Sequence, residues 1–153
     1  GGGRVRPPAG PHPQGRVILQ QTRMDCGVCA LAMLLGHTYE DAHEALAAAK
    51  ALNAESIPDP AAGNSTHDLW SAAILAGAFV VYVPADRFDE EPPISPETTD
   101  GVYSIEGDTI YDGGHFVYVE GGRCHDPYDG SISPWAEYAT RLGVRVRSVL
   151  YSR

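Results

Sequence analysis

Basic residues are scarce in this chain: 11 Lys and Arg stand against 20 Asp and Glu, a formal net charge of −9. That balance repels nucleic-acid phosphates and anionic membrane surfaces unless a local basic patch intervenes, so no nucleic-acid partner is expected. The nearest approach to a patch is the C-terminal "RLGVRVRSVLYSR", where Val144 and Val146 alternate with Arg145 and Arg147. Such alternation fits a half-buried strand better than a phosphate-binding arm. Cysteines number only three, too few and odd for a secreted disulfide scaffold. No apolar N-terminal segment resembles a signal peptide, which points to a reducing, cytoplasmic compartment. Long hydrophobic runs are also missing: none approaches the roughly 18 residues needed to cross a bilayer, so direct membrane insertion by this chain is not expected.

What is present is enough for one globular domain. With 153 residues, 43% of them hydrophobic and 20% charged, the chain can bury a core without disulfide support. Residues 1–15, "GGGRVRPPAGPHPQG", read as a flexible Gly/Pro-rich lead-in, and residues 16–153 as the single domain. "RVILQ" is strand-like, and a helix is expected from Asp25 to Gly36. Thr38 with Asp41 and Ser65 with Asp68 have capping-box spacing and start two further helices, the second stopped by Gly77. Within it Trp70, at helical spacing with Ile74, is expected in the core. "AFVVYV" then reads as a buried strand, and the acidic, Pro-rich stretch from Pro84 to Asp100 as a surface loop. "GVYSI", "TIY", "HFVYVE", "RCHD" and "VRVRSVLY" are strand candidates, with a short helix in "PWAEYATRL" before the last. Helices first and strands afterwards predict an α+β fold, N-terminal helices packed on a C-terminal antiparallel sheet.

The stretch "QQTRMDCGVCALAMLLG" places Cys26 at the mouth of the first helix. Unpaired backbone N–H groups and the positive end of a helix dipole stabilise a thiolate, so a cysteine there can become a nucleophile if a base is near. The base is suggested by "GGHFVYVEGGRCHDPYDG". Two strand-like runs flank Gly121 and Gly122, the signature of a two-residue hairpin. In that register Glu120 faces Arg123, Val119 faces Cys124 and Val117 faces Asp126. His115, Val117 and Asp126 then share one face, with His115 and Asp126 diagonal at roughly 7–8 Å, within reach of a side-chain hydrogen bond. The same register sends His125 to the opposite face. A carboxylate beside His115 would orient its ring and leave the other nitrogen for a thiol, a Cys–His–Asp system. Gln20, upstream of Cys26, offers a side-chain amide that with the Cys26 backbone N–H could hold an oxyanion, and Gln21 is its rival.

Together these segments, with "NSTHDLWSAAILAGAFVVYV" between them, resemble the double-glycine leader peptidases, the papain-like cysteine peptidase domains of bacteriocin-exporting ABC transporters, over roughly residues 16–130. The resemblance implies a papain-like fold, with Cys26 as nucleophile, Gln20 as oxyanion donor, His115 as general base and Asp126 as the residue that orients it. It implies cleavage after a Gly-Gly or Gly-Ala pair of a peptide or protein substrate, no metal or other cofactor, and a larger transporter or secretion partner. Ala is common in the family where Cys29 stands here. Three other functions compete. "CGVC" is also the Cys-x-x-Cys of thiol–disulfide oxidoreductases, a reading that leaves Gln20, His115 and Asp126 without roles. A zinc site from Cys26, Cys29, Cys124 and His115 or His125 is opposed by the opposite directions of Cys124 and His125 on a strand. A catalytically inactive peptide-binding module would need to lose a catalytic group, and all four are present.

Overall fold

The computed structural model describes Val5 and residues 16–107 and 114–152. The expected strand "TIY" and almost all of the expected lead-in lie outside the described residues; Val5 itself packs, partly buried, against the first of two cores. Among the described residues ten helices and strands run α1 (Cys26–Leu35), α2 (Tyr39–Ala51), α3 (Thr66–Leu75), β1 (Val80–Pro84), β2 (Gly101–Gly107), β3 (His115–Glu120), β4 (Arg123–His125), β5 (Ile132–Pro134), α4 (Trp135–Leu142) and β6 (Val144–Ser152), the expected order with one unexpected short strand, β5. The fold is α+β, with a six-stranded antiparallel sheet in the order β1-β6-β2-β3-β4-β5.

Helix α1 is apolar on every side, and Gly27 to Leu35 are all buried. Such a helix has to lie at the centre of a fold rather than on its surface. Ala, Leu and Met favour it, and Gly36 ends it in the left-handed region at φ 67°, where its N–H reaches the Ala32 and Met33 carbonyls. Each large aliphatic side chain so buried contributes about 1.5–3 kcal/mol. Thr38 caps α2 by accepting from the Asp41 N–H, and Ser65 with Asp68 forms the full reciprocal capping box of α3. These helices pack with Val102, Phe116, Tyr118 and Leu150 to form the first core.

A second core covers the other side of the sheet. Tyr103, Ile105, Val117, Val119, Cys124 and Val149 meet Trp135 and Tyr138 of α4 there, and Phe88 and Ile94 of the acidic loop tuck against them. The helices are therefore not confined to one layer. At the hairpin Val119 stands opposite Cys124 and Glu120 opposite Arg123. Gly121 and Gly122 take φ of 60° and 75°, the backbone a tight two-residue turn requires.

Three expectations are corrected. "RVILQ" joins no strand ladder; it is an extended approach to α1. Among the described residues β1 is an edge strand that pairs with β6 alone, so it is half-exposed rather than buried, and Phe79 before it is exposed. Trp70 is 37% exposed and stacks on His67 at 6.0 Å, because Leu69, Ala72 and Ala73 take the inward face of α3.

Candidate functional site

Asp25 precedes α1 but its carboxylate does not cap the helix. Fully buried, it uses Oδ2 to accept from the Gln21 backbone N–H at 2.9 Å and the Tyr39 hydroxyl at 2.6 Å. The approach segment is thereby fastened to α2, and Cys26 is fixed as the first residue of α1. Burial, then Asp25, pushes the Tyr39 hydroxyl well above its ordinary pKa. Of the three free cysteines Cys26 alone is partly exposed. Burial pushes the Cys29 thiol up, and the charges of Asp25 and Cys26 push it further; burial does the same to Cys124.

His115 opens β3 and is almost wholly buried. Its Nε2 lies 2.7 Å from Asp126 Oδ1, and Cys26, which lines the same cavity, is near enough for its side chain to act on the ring. The regular ladder ends at His125, one residue before Asp126. Asp126 is held by three donors: His115, the Tyr128 backbone N–H at 2.9 Å, and the Tyr138 hydroxyl at 2.7 Å on Oδ2. Burial alone would raise the Asp126 carboxyl, but these bonds and the His115 charge outweigh it and hold its pKa at about 2. Burial likewise pulls His115 down, and its bonds to Asp126 and Cys26, with their charges, raise it to about 9. At neutral pH the pair is an imidazolium against a carboxylate.

Gln20 and Gln21, adjacent in the chain, are placed differently. Gln21 is exposed, whereas Gln20 is half-buried and lines the cavity that contains Cys26 and His115. One Nε2 hydrogen of Gln20 is given to the Thr22 carbonyl at 3.1 Å, which steadies the amide and leaves its second N–H for another acceptor. Its backbone N–H donates to the Pro127 carbonyl at 3.0 Å, tying the approach segment to the turn that follows Asp126. All four sequence-selected residues are thus brought into one neighbourhood: Gln20, Cys26 and His115 line a cavity of about 890 Å³, and Asp126 bonds His115 behind it. His125 is not: its Nδ1 pairs with the Arg123 carbonyl at 3.1 Å and its ring packs on Tyr118. Cys124 points into the second core, away from His125. Among the described residues no group of three His, Cys, Asp or Glu side chains is arranged to hold a metal ion.

Two contributors escaped the sequence reading. Tyr138 reaches Asp126 from α4, an element recognisable only as a short helix; its one-turn spacing from Trp135 is the available signal. Asp25 was visible only as the start of a helix, and nothing in the sequence marked it as buried. Among the described residues, no helix is long and apolar enough to cross a membrane. Compared with known proteins, the chain matches no family model, no curated protein and no solved structure.

Proposed function

We propose that this chain is a cysteine peptidase of papain-like fold, similar to the double-glycine leader peptidases, that cleaves a peptide bond through Cys26, His115 and Asp126. One observation carries the reading: a single buried imidazole bonds a buried carboxylate and stands beside a half-exposed cysteine at a helix N-terminus, on the wall of a cavity. In the reaction the Cys26 sulfur, its proton passed to His115, attacks the peptide carbonyl carbon and forms a C–S bond. The second amide N–H of Gln20 and the Cys26 backbone N–H take the oxyanion. Collapse breaks the C–N bond while His115 returns its proton to the leaving amine, giving a free amine and a thioester. Water, deprotonated by His115, then hydrolyses the thioester to the acid and regenerates the thiol. Asp126, held by Tyr128 and Tyr138, keeps the ring oriented throughout.

The competing thiol–disulfide reading is weakened by Cys29, which is fully buried with its thiol pushed up, a poor resolving nucleophile. The substrate the resemblance suggests is a leader peptide ending in a small Gly-Gly pair, handed over by a transporter or secretion partner. The test is the rate of Cys26 alkylation by iodoacetamide against pH, read by peptide mass spectrometry, in wild type and His115→Ala. The expected result is fast reaction near pH 6, where an ordinary thiol is almost wholly protonated, lost in the variant. An inert Cys26, or identical profiles in the two proteins, would overturn the peptidase reading.

A further inference from the structure

In a regular strand consecutive side chains point to opposite faces. Yet Arg147 and Ser148, neighbours on β6, both line the cavity. The cause is a bulge: Ser104 stands opposite Ser148 while Ile105 stands opposite Val146, so Arg147 is the extra residue, left without a partner in the ladder. The cores record the same change of parity. Val149 and Tyr151 pack on the second core, and so do Val144 and Val146, at positions of opposite parity. Without the bulge, Arg147 would be turned away from the cavity.

Its position is next to the catalytic histidine. Nη1 of Arg147 lies 3.7 Å from where a Cβ on Gly114 would stand, and Gly114 immediately precedes His115. Arg145 on the same strand is engaged by Glu106, its register partner, at 3.4 Å. Among the described residues no acidic side chain pairs with Arg147. Arg23 lines the same cavity from the approach segment, and so do Ser104 and Ser148, register partners beside the bulge. In a chain of net charge −9, a cation with no acidic partner among the described residues, turned into the cleft by a backbone irregularity, is a local reversal of sign, the kind that concentrates an anionic ligand.

We infer that the cleft selects substrates carrying a carboxylate close to the attacked carbonyl, bound by Arg147 with the Ser104 and Ser148 hydroxyls and assisted by Arg23. The inference rests on the peptidase reading and names the substrate class for that site. The shared chemistry is the carboxylate, whether on an Asp or Glu side chain or at a peptide C-terminus.

The experiment compares Cys26 alkylation by iodoacetate and by iodoacetamide, reagents that differ in one carboxylate, in wild type, Arg147→Gln and Arg147→Lys. The wild-type iodoacetamide rate reads the Cys26–His115 pair by itself, and the iodoacetate-to-iodoacetamide ratio reads the anion site, so the two readings can fail separately. Arg147→Gln is expected to lower the ratio by about tenfold at low salt, and added salt should shrink the wild-type preference. Arg147→Lys should retain most of it. A ratio unchanged in Arg147→Gln overturns the proposal. Protection of Cys26 from iodoacetamide by matched short peptides then separates the two sources. Better protection by Glu than Gln peptides with amidated ends assigns a side-chain carboxylate, and better protection by free-acid than amidated ends assigns a terminal one. Equal protection by all four overturns the proposal.

Discussion

Lys50 and Asp68 meet at 3.2 Å and His115 and Asp126 at 2.7 Å, both pairs almost wholly out of water. The first joins α2 to α3 and is saturated. Lys50 Nζ also donates to the Ile57 and Gly63 carbonyls at 2.8 and 2.7 Å, and Asp68 also accepts from Ser56 and from the Ser65 N–H. Burial pushes the Asp68 carboxyl up, but those bonds outweigh it and lower its pKa. In the second pair the carboxylate is equally well supplied, but the imidazole stands beside a cysteine that faces a cavity. Buried charge by itself therefore marks structure. What marks a candidate for chemistry is such a pair set beside a reactive group that faces open space.

Breaking each pair should separate the two roles. The largest expected effect is on stability: Lys50→Met strands the Asp68 carboxylate and should cost about 3–5 kcal/mol in urea unfolding, while Cys26 of the folded variant alkylates at the wild-type rate. If it slowed Cys26 as well, the two pairs would be coupled and the contrast would fail. Next comes Asp126→Ala, expected to slow Cys26 chemistry by about a hundredfold, some 2.7 kcal/mol, less than loss of His115 because Asp126 acts through the ring. Peptide turnover or alkylation near pH 6 reads it, and an unchanged rate would reduce Asp126 to a structural anchor.

The smallest effect is a slope. His115 is raised from 6.5 to about 9, so its contribution to stability is complete below pH 6.5 and is lost as pH climbs towards 9. Asp126 is lowered from 3.8 to about 2, so its share is present above pH 3.8 and is lost as pH falls towards 2. The urea midpoint of wild type should exceed that of His115→Ala most at intermediate pH, and the margin should close on the alkaline side no faster than about 1.4 kcal/mol per pH unit, the limit for one proton. A constant margin across that range would remove the imidazolium from the folded state.

Local chemistry made part of this legible in advance. The apolar run to Gly36, the Ser65–Asp68 capping box and the Gly121-Gly122 hairpin each depend on neighbours within a few residues, and all are present. The hairpin register alone brought His115 and Asp126 within reach, and their bond is in place. Relations between distant segments were hidden. Trp70 has the spacing of a core residue, but which face of α3 turns inward depends on α2 and β1, and Leu69 won. The second core needed α4 to fold over a sheet whose inner strands alternate on both faces. The bulge at Arg147 leaves a sequence that reads as an ordinary alternating strand.

The bond from the Gln20 N–H to the Pro127 carbonyl has a consequence for how the molecule comes into being. It clasps together segments far apart in the chain, and Cys26 follows the first of them while His115 precedes the second. Such long-range closure comes late, after local helices and hairpins have formed. A nascent chain exposes Cys26 long before His115 has been synthesised, so the thiol spends that interval without the imidazole it stands beside in the folded molecule.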